Sequence, residues 1–369
     1  MTSRKPSKNK TVLIMAGGTG GHVYPGLAVA HTLYLRGYDI AWLGSVGGME
    51  KELVATQSAT MNIPIAYHDI AISGVRGKSK ITLIAAPIKI AKAISSAKKI
   101  IRAVSPCLVI GMGGFVAGPG AFAAWRLKLP VIVHEQNAVA GTTNKLTRLF
   151  ATKVLCAFPH VFNDAQVVGN PVRSDIEQIE PPEKRMTNRD GPIRILVLGG
   201  SRGAQFINAL IPAAIAKVGS ASALHIAHQA GKDKFEQTQK NYQQHNITAD
   251  VVPFINDMAD ALAWADIAIC RAGALTVSEL TAAGVGAIFI PYPYAIGDHQ
   301  TKNAEFMVAN HAAVVHQQAA LSPEIFAVQL NALLSNKEQI LTMASNAKKA
   351  HVPHCAQTFA TICEGVIND

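Results

Sequence analysis

The residues with the clearest capacity for chemistry are GGTGGH at 17–22, which follow the apolar run TVLIMA (11–16) and precede an amphipathic stretch. Gly17, Gly18, Gly20 and Gly21 can adopt positive φ and bring the backbone close to a ligand. The start of a helix behind them offers unpaired N–H groups and a positive dipole end, an arrangement suited to phosphate. Thr19 adds a hydroxyl donor, and His22 can move protons near neutral pH. The glycine spacing departs from the GxGxxG dinucleotide fingerprint. A tight strand-to-helix connection with no ligand accounts for the same residues equally well.

Other clusters lie farther along. In RAGALTVSE (271–279) an apolar strand, DIAIC, runs into a small-residue turn and a helix read over TVSELTAAG. Thr276 and Ser278 could satisfy early helix donors, with Glu279 in the first turn. Such a helix start could instead receive a diphosphate while Glu279 accepts from two ribose hydroxyls. PYPYAIGDHQTKNA (291–304) sets Asp298, His299, Gln300 and Asn303 just past a strand end, and their directional polar groups suit a sugar. HEQN (134–137) and GNPVR (169–173) also fall at strand ends. His134 with Glu135 reads equally as a structural hydrogen-bonded pair and Arg173 as a linker salt bridge. His225 and His228 lack further ligands nearby and read as structural. Asp-x-Asp is absent from the sequence, so the usual hint of a diphosphate-bridging cation is missing.

The elements that must carry these residues are short apolar runs alternating with helical patterns. They fall at 11–16, 39–44, 108–113, 131–135 and 153–158, and again at 193–198, 223–229, 250–254, 266–270 and 286–291. This is the rhythm of βαβ units and predicts an α/β chain of two parallel-sheet domains with a ligand cleft between them. The expected division is 1–170, 171–345 and a helical tail at 346–369, with the Pro- and charge-rich stretch 169–192 as linker. In an open parallel sheet, ligands bind outside the carboxyl ends of the strands, where every cluster above lies.

Size and charge narrow the classes. At 369 residues with 49% hydrophobic content the chain can bury two cores. Five cysteines without a CxxC pair argue against a disulfide framework or a zinc ribbon. The opening MTSRKPSKNK-TVLIMA has too short an apolar part for a signal peptide, and no run of about 18 apolar residues predicts a spanning helix. The net charge of +10 is uneven. Residues 1–170 hold 19 Lys and Arg against 6 Asp and Glu, a balance of +13, whereas 171–369 hold 15 against 18, a balance of −3. Residues 76–102 carry eight cations and no acid, interleaved with Ile81, Leu83, Ile84, Ile88, Ile90 and Ile94. That pattern is a solvated basic helix on the core, or a surface that meets anionic headgroups with aliphatic side chains among the acyl chains. Sparse aromatics count against a nucleic-acid platform.

Taken in order and spacing, AGGTGGHVYPGLAVA, GMGGFVAGPG, HEQNAVAG, VVGNPVR, LGGSRGAQ, FINDM, CRAGALTVSE and DHQTKNA resemble the MurG family across nearly the whole chain. That resemblance implies a GT-B architecture of two Rossmann-like domains with a deep interdomain cleft. It also implies an inverting glycosyltransferase moving GlcNAc from UDP-GlcNAc to the 4-hydroxyl of undecaprenyl-pyrophosphoryl-MurNAc-pentapeptide in peptidoglycan synthesis. The enzyme would work without a cofactor or metal, bound peripherally to the cytoplasmic face of the inner membrane through residues 76–102. By matching motif positions, the donor meets Thr19, Gly20, Gly21, Asn137, Arg173 and Ser201. Uracil lies near the backbone of Ile255, the diphosphate and ribose along Ala274, Leu275, Thr276, Val277, Ser278 and Glu279, and the GlcNAc hydroxyls at Gln300. Arg202 stands where many relatives carry glutamine.

His22 is the expected catalytic base, with Glu135 in reserve. The competing readings are a UDP-GlcNAc 2-epimerase of the same fold, which would need no acceptor, a nicotinamide dehydrogenase, disfavoured by the glycine spacing, and a basic nucleic-acid binder, which leaves the strand-end motifs unexplained.

Overall fold

A computed structural model describes residues 10–18, 20–72, 86–187, 189, 191–200, 203–219 and 224–369. Thr19, Ser201, Arg202 and positions 73–85 of the basic segment lie outside the described residues. The chain forms two compact units, one of residues 1–173 with 354–369 and the other of residues 174–353.

In the first unit seven parallel strands lie in the order β3-β2-β1-β4-β5-β6-β7. They are β1 (Thr11–Ala16), β2 (Asp39–Ser45), β3 (Ile65–Ile70), β4 (Leu108–Gly113), β5 (Val131–Glu135), β6 (Lys153–Cys156) and β7 (Gln166–Val167). Strand β1 is apolar throughout because both of its faces are covered. Val12 and Ile14 join a core with Leu27 and Leu33 of helix α1 (Gly20–Leu35), while Leu13 and Met15 join one with Ala97 and Ala121 on the opposite face. Helix α2 (Glu50–Met61) follows β2. Helix α3 (Ala86–Val104) buries Ala93, Ala97 and Ile101, a four-residue repeat that forms one stripe. It packs on helix α4 (Ala117–Arg126), and a short helix α5 (Thr142–Thr147) follows β5.

The second unit repeats the winding with six parallel strands in the order β10-β9-β8-β11-β12-β13. These are β8 (Ile193–Leu198), β9 (Leu224–Gln229), β10 (Asp250–Val252), β11 (Ile267–Cys270), β12 (Gly286–Phe289) and β13 (Ala313–Val315). In each sheet the strand order reverses direction once, between β1 and β4 and between β8 and β11. Loops leaving adjacent strands there go to opposite faces and open a crevice at their carboxyl ends.

The stretch expected as a linker is built into the second unit from Ser174 on, as helices α6 (Ser174–Glu177) and α7 (Pro182–Met186). The reason is Arg185, whose guanidinium donates to the carbonyls of Leu262, Ala263 and Ala265 and of Ala283 and Gly284. These carbonyls end helices α10 (Met258–Trp264) and α11 (Ala274–Ala283), which come after α8 (Gln205–Ile215) and α9 (Phe235–Gln244). Beyond them lie α12 (His299–Ala309), α13 (Pro323–Leu334) and α14 (Lys337–Ala350). Residues 346–353, read from sequence as part of the tail, group with this unit, because α14 runs unbroken through Ala344 and Ala347, both buried. The last helix, α15 (Cys355–Asn368), belongs to the first unit. Its Phe359, Ala360 and Cys363 join the core of Val12 and Ile14, and Glu364 pairs with Arg36 of the turn after α1 at 2.7 Å.

Candidate active site

In the first unit the loop after β1 turns at Gly18 (φ +95°), and Gly20 and Gly21 open α1, with His22 one residue later. The loop after β4 crosses it backbone to backbone: a Cβ on Gly114 (φ +81°) would collide with the Gly17 carbonyl. At Gly113 (φ +106°) a Cβ would lie 2.7 Å from Cδ2 and 3.0 Å from Nε2 of His22, so glycine leaves the space that the imidazole uses.

Glu50, the first residue of α2, holds the loop from behind. Its fully buried carboxylate accepts from the Ser45 N–H (2.7 Å), the Ser45 hydroxyl (2.5 Å) and the Gly18 N–H (3.4 Å). Burial alone would raise its pKa. The hydrogen bonds from Ser45 and from backbone N–H groups outweigh that and hold it below the ordinary glutamate value. The glycine that places Gly18 was visible in the sequence; the carboxylate behind it was not.

At the end of β5, His134 and Glu135 are not a pair, contrary to one of the readings above. Adjacent residues on a strand point to opposite faces, and each finds partners on its own side. His134 lies 2.9 Å from the Gly169 carbonyl and 3.1 Å from Gln136 Nε2. Glu135 Oε1 accepts from the N–H and Nδ2 of Asn137, and Oε2 from the Gly141 N–H and Asn144 Nδ2. A buried carboxylate with four donors shapes the 137–144 loop, an arrangement ill suited to taking a proton from a substrate. Asn137 is thereby fixed at both its nitrogens. The Arg173 guanidinium sits over the Tyr24 ring on α1, 5.8 Å from the centroid.

In the second unit the loop after β8 turns at Gly200 (φ +75°) and Gly203 (φ +69°). Its base is tied to β9: the Gly199 N–H donates to the Gln229 carbonyl and Asn208 Nδ2 to the Ala230 carbonyl, each within 2.9 Å. Asn208 Oδ1 also meets His228 Nε2, and Tyr242 meets Nδ1. Burial pushes the His228 pKa down to about 3, so the ring is a neutral structural group. The Ile255 N–H donates to Gln229 Oε1 at 3.0 Å, which commits one of the two backbone groups expected to face uracil.

Helix α11 begins at Ala274, straight after Gly273, with no side-chain cap. Glu279 therefore stands in the second turn rather than the first. Ser278, at the fifth helical position, donates back to the Ala274 carbonyl. The sequence favoured a start near Thr276 because threonine and serine are common caps; the helix instead starts after an extended Gly273, which supplies no side-chain acceptor. Ala274, Leu275, Thr276, Val277, Ser278 and Glu279 thus occupy the first six helical positions. Arg271 braces this turn by donating to the carbonyls of Ile290 and Pro291, and Asn303 by donating to that of Ala272. Gln300 Oε1 accepts from the Tyr292 N–H at 2.9 Å, which fixes the amide at the start of α12. Arg271 and Asn303 hold the two loops, a role set by distant carbonyls.

Residues 12–156 match the glycosyltransferase family 28 N-terminal domain and 194–359 the glycosyltransferase family 28 C-terminal domain. A protein of Saccharophagus degradans named UDP-N-acetylglucosamine--N-acetylmuramyl-(pentapeptide) pyrophosphoryl-undecaprenol N-acetylglucosamine transferase is 59% identical over 98% of this chain and 92% of its own length. The crystal structure of Acinetobacter baumannii MurG matches with a TM-score of 0.82 at 41% identity, covering 96% of this chain and 99% of that one. The chain belongs to the MurG family. A Marinobacter nauticus protein of the same name as the first is 45% identical over 97% of this MurG family chain and 98% of its own length. A UDP-GlcNAc 2-epimerase from Neisseria meningitidis, with a TM-score of 0.68 over 97% of this chain and 100% of that one, is only 13% identical and shares the fold alone. With its two parallel-sheet units and these family matches, the chain has the GT-B architecture expected of MurG proteins.

Proposed function

We propose that this chain transfers GlcNAc from UDP-GlcNAc to the 4-hydroxyl of undecaprenyl-pyrophosphoryl-MurNAc-pentapeptide, with inversion. The enzyme is a UDP-GlcNAc-dependent glycosyltransferase of peptidoglycan synthesis. The observation that carries the reading is the 59% identity to the transferase of that name over 98% of the chain. Inversion requires one displacement at the anomeric carbon: the acceptor oxygen attacks, the C1–O bond to UDP breaks, and a base takes the acceptor proton. We assign the base to His22, which keeps a half-buried imidazole beside the glycine loops, in preference to Glu135 with its four donors. The N–H groups opening α11 and the dipole behind them would stabilise the departing diphosphate. Glu279 would accept from the ribose hydroxyls, and Gln300, its Oε1 held by Tyr292, would turn its NH₂ to the amino-sugar. Thr19, Gly20, Gly21, Asn137, Arg173 and Ser201 remain proposed donor contacts.

Incubation with labelled UDP-GlcNAc and a short-chain lipid-linked muramoyl acceptor should give a disaccharide product. Sugar-nucleotide epimerisation in the absence of acceptor would overturn the reading. Glu279→Gln should weaken UDP binding by about 1–3 kcal/mol through loss of charge-assisted hydrogen bonds. Equal affinity by calorimetry would remove Glu279 from the ribose.

The membrane reading is supported by apolar side chains exposed among cations. Ile88 and Ile90 on α3 flank Lys89, Trp125 ends α4 at 46% exposure beside Arg126, and Leu146 and Leu149 (74% exposed) follow Lys145. None of the described helices is long and apolar enough to cross a membrane. A peripheral contact with anionic lipid fits this surface. Trp125 escaped the sequence reading because it lies outside the 76–102 charge run. Reversing Lys89 and Lys92 to Glu should weaken salt-sensitive vesicle binding by at least about 30-fold, the loss from two cations at about 1 kcal/mol each. Unchanged sedimentation with anionic vesicles would point to another surface.

A further inference from the structure

The β5 strand end contains a group that the reaction above does not use. Gln136 is 1% exposed, and its Oε1 has no hydrogen-bond partner in the structure. The orientation of its amide follows from a chain of donors. The Gly169 carbonyl can only accept, so His134 Nε2, 2.9 Å away, carries a proton. Burial pushes the His134 pKa down to about 4, so the ring is neutral and its Nδ1 is an acceptor. The Gln136 atom 3.1 Å from Nδ1 must then be the NH₂ nitrogen, and Oε1 points the other way. The backbone is pinned as well, since Asn170 Nδ2 donates to the Gln136 carbonyl at 3.1 Å.

The freed oxygen lies in the space that Gly113 keeps open. The point where a Gly113 Cβ would sit is 3.6 Å from Gln136 Oε1 and 3.0 Å from His22 Nε2, with the other ring nitrogen farther off. We propose that Gln136 is a positioning residue for His22: its fixed amide oxygen accepts the Nε2–H of the imidazole and leaves Nδ1 as the nitrogen that takes the acceptor's proton. The catalytic part rests on the reading of His22 as the base. A neutral amide oxygen orients the ring and stabilises the imidazolium that forms, without adding a charge beside the diphosphates. Leaving a buried carbonyl unpaired carries a cost, and closing the ring onto Oε1 in the resting protein removes it.

The test is ¹⁵N–¹H correlation of histidine-labelled full-length protein, with the His22 signals assigned by their loss in His22→Ala. Wild-type His22 should be held wholly in the Nε2–H tautomer, and Gln136→Met should relax it toward the mixed ratio of a free imidazole. Gln136→Met should also lower kcat about tenfold or more while KM for UDP-GlcNAc stays within about twofold. A wild-type Nδ1–H tautomer overturns the proposal without any variant having to fold. A His22 signal unmoved in a folded Gln136→Met protein overturns it too, as does a loss of UDP affinity that matches the loss of kcat. If His22→Ala leaves turnover intact, the base assignment fails, while the tautomer still reports separately on the contact with Gln136.

Discussion

His22→Ala should lower kcat by about 10²- to 10⁴-fold, the usual contribution of a positioned general base, while UDP affinity stays within about twofold. The split follows from where the side chain sits. His22 is the third residue of α1, half-buried, with its ring edge against Gly113 rather than in the second unit, where Ala274 to Glu279 and Gln300 lie. Removing it would take away the proposed proton acceptor and leave those second-unit groups intact. The loss is therefore expected in the chemical step and not in nucleotide binding. Turnover is measured with acceptor and donor both saturating, and UDP binding by calorimetry. Wild-type turnover would eliminate His22 as the base. Parallel losses of turnover and UDP affinity would instead mean that His22 holds the glycine loop together.

What could be read ahead of the structure follows from which forces are local. Strands β1, β4, β8 and β11 flank the two switch points and are covered on both faces, so apart from Thr11 and Arg194 they appear as apolar runs ending in glycine or a small-residue turn. Strands β3, β7 and β13, three of the four sheet edges, were missed, while the fourth edge, β10, was read. In IAYHDI only Ile70 is fully buried, and Ala313–Val315 is three residues long. Their identity depends on a neighbouring strand rather than on their own periodicity. Site residues divide in the same way. Gly18 and the start of α1 follow from backbone requirements within a few residues. Gln136 acquires its orientation from a carbonyl at Gly169, and Glu50 its charge state from Ser45 and Gly18, contacts that exist only once the sheet is assembled. Glu135 looked available as a base because a carboxylate at a strand end is a reasonable candidate. The four donors that occupy it come from a loop whose course its own sequence does not reveal.

Arg185→Met should destabilise the protein by about 2–4 kcal/mol, with the loss confined to the second unit, although the residue lies in a stretch that reads as linker. Its guanidinium donates to carbonyls at the ends of two helices, those of Leu262, Ala263 and Ala265 at α10 and those of Ala283 and Gly284 at α11, at 2.7–3.4 Å. Helix ends leave carbonyls unpaired and carry partial negative charge, so one cation satisfies both needs at two helices. Burial lowers the guanidinium pKa to about 10, which still leaves it charged at neutral pH. Methionine preserves the packing of the stem but supplies no donor. Several part-buried carbonyls then lose partners worth about 0.5–1.5 kcal/mol each, partly offset by water at the exposed side. Arg185→Lys should recover only part of the loss, since an ammonium has three donors and no planar fork with which to span both helix ends. Because α11 carries Ala274 to Glu279, UDP binding should weaken in Arg185→Met as the helix loosens, whereas the anionic-vesicle binding proposed for the first unit should not change. Denaturant unfolding followed by hydrogen exchange on α10 and α11 would check this. Wild-type protection of both helices in Arg185→Met would mean that Arg185 does not hold their ends.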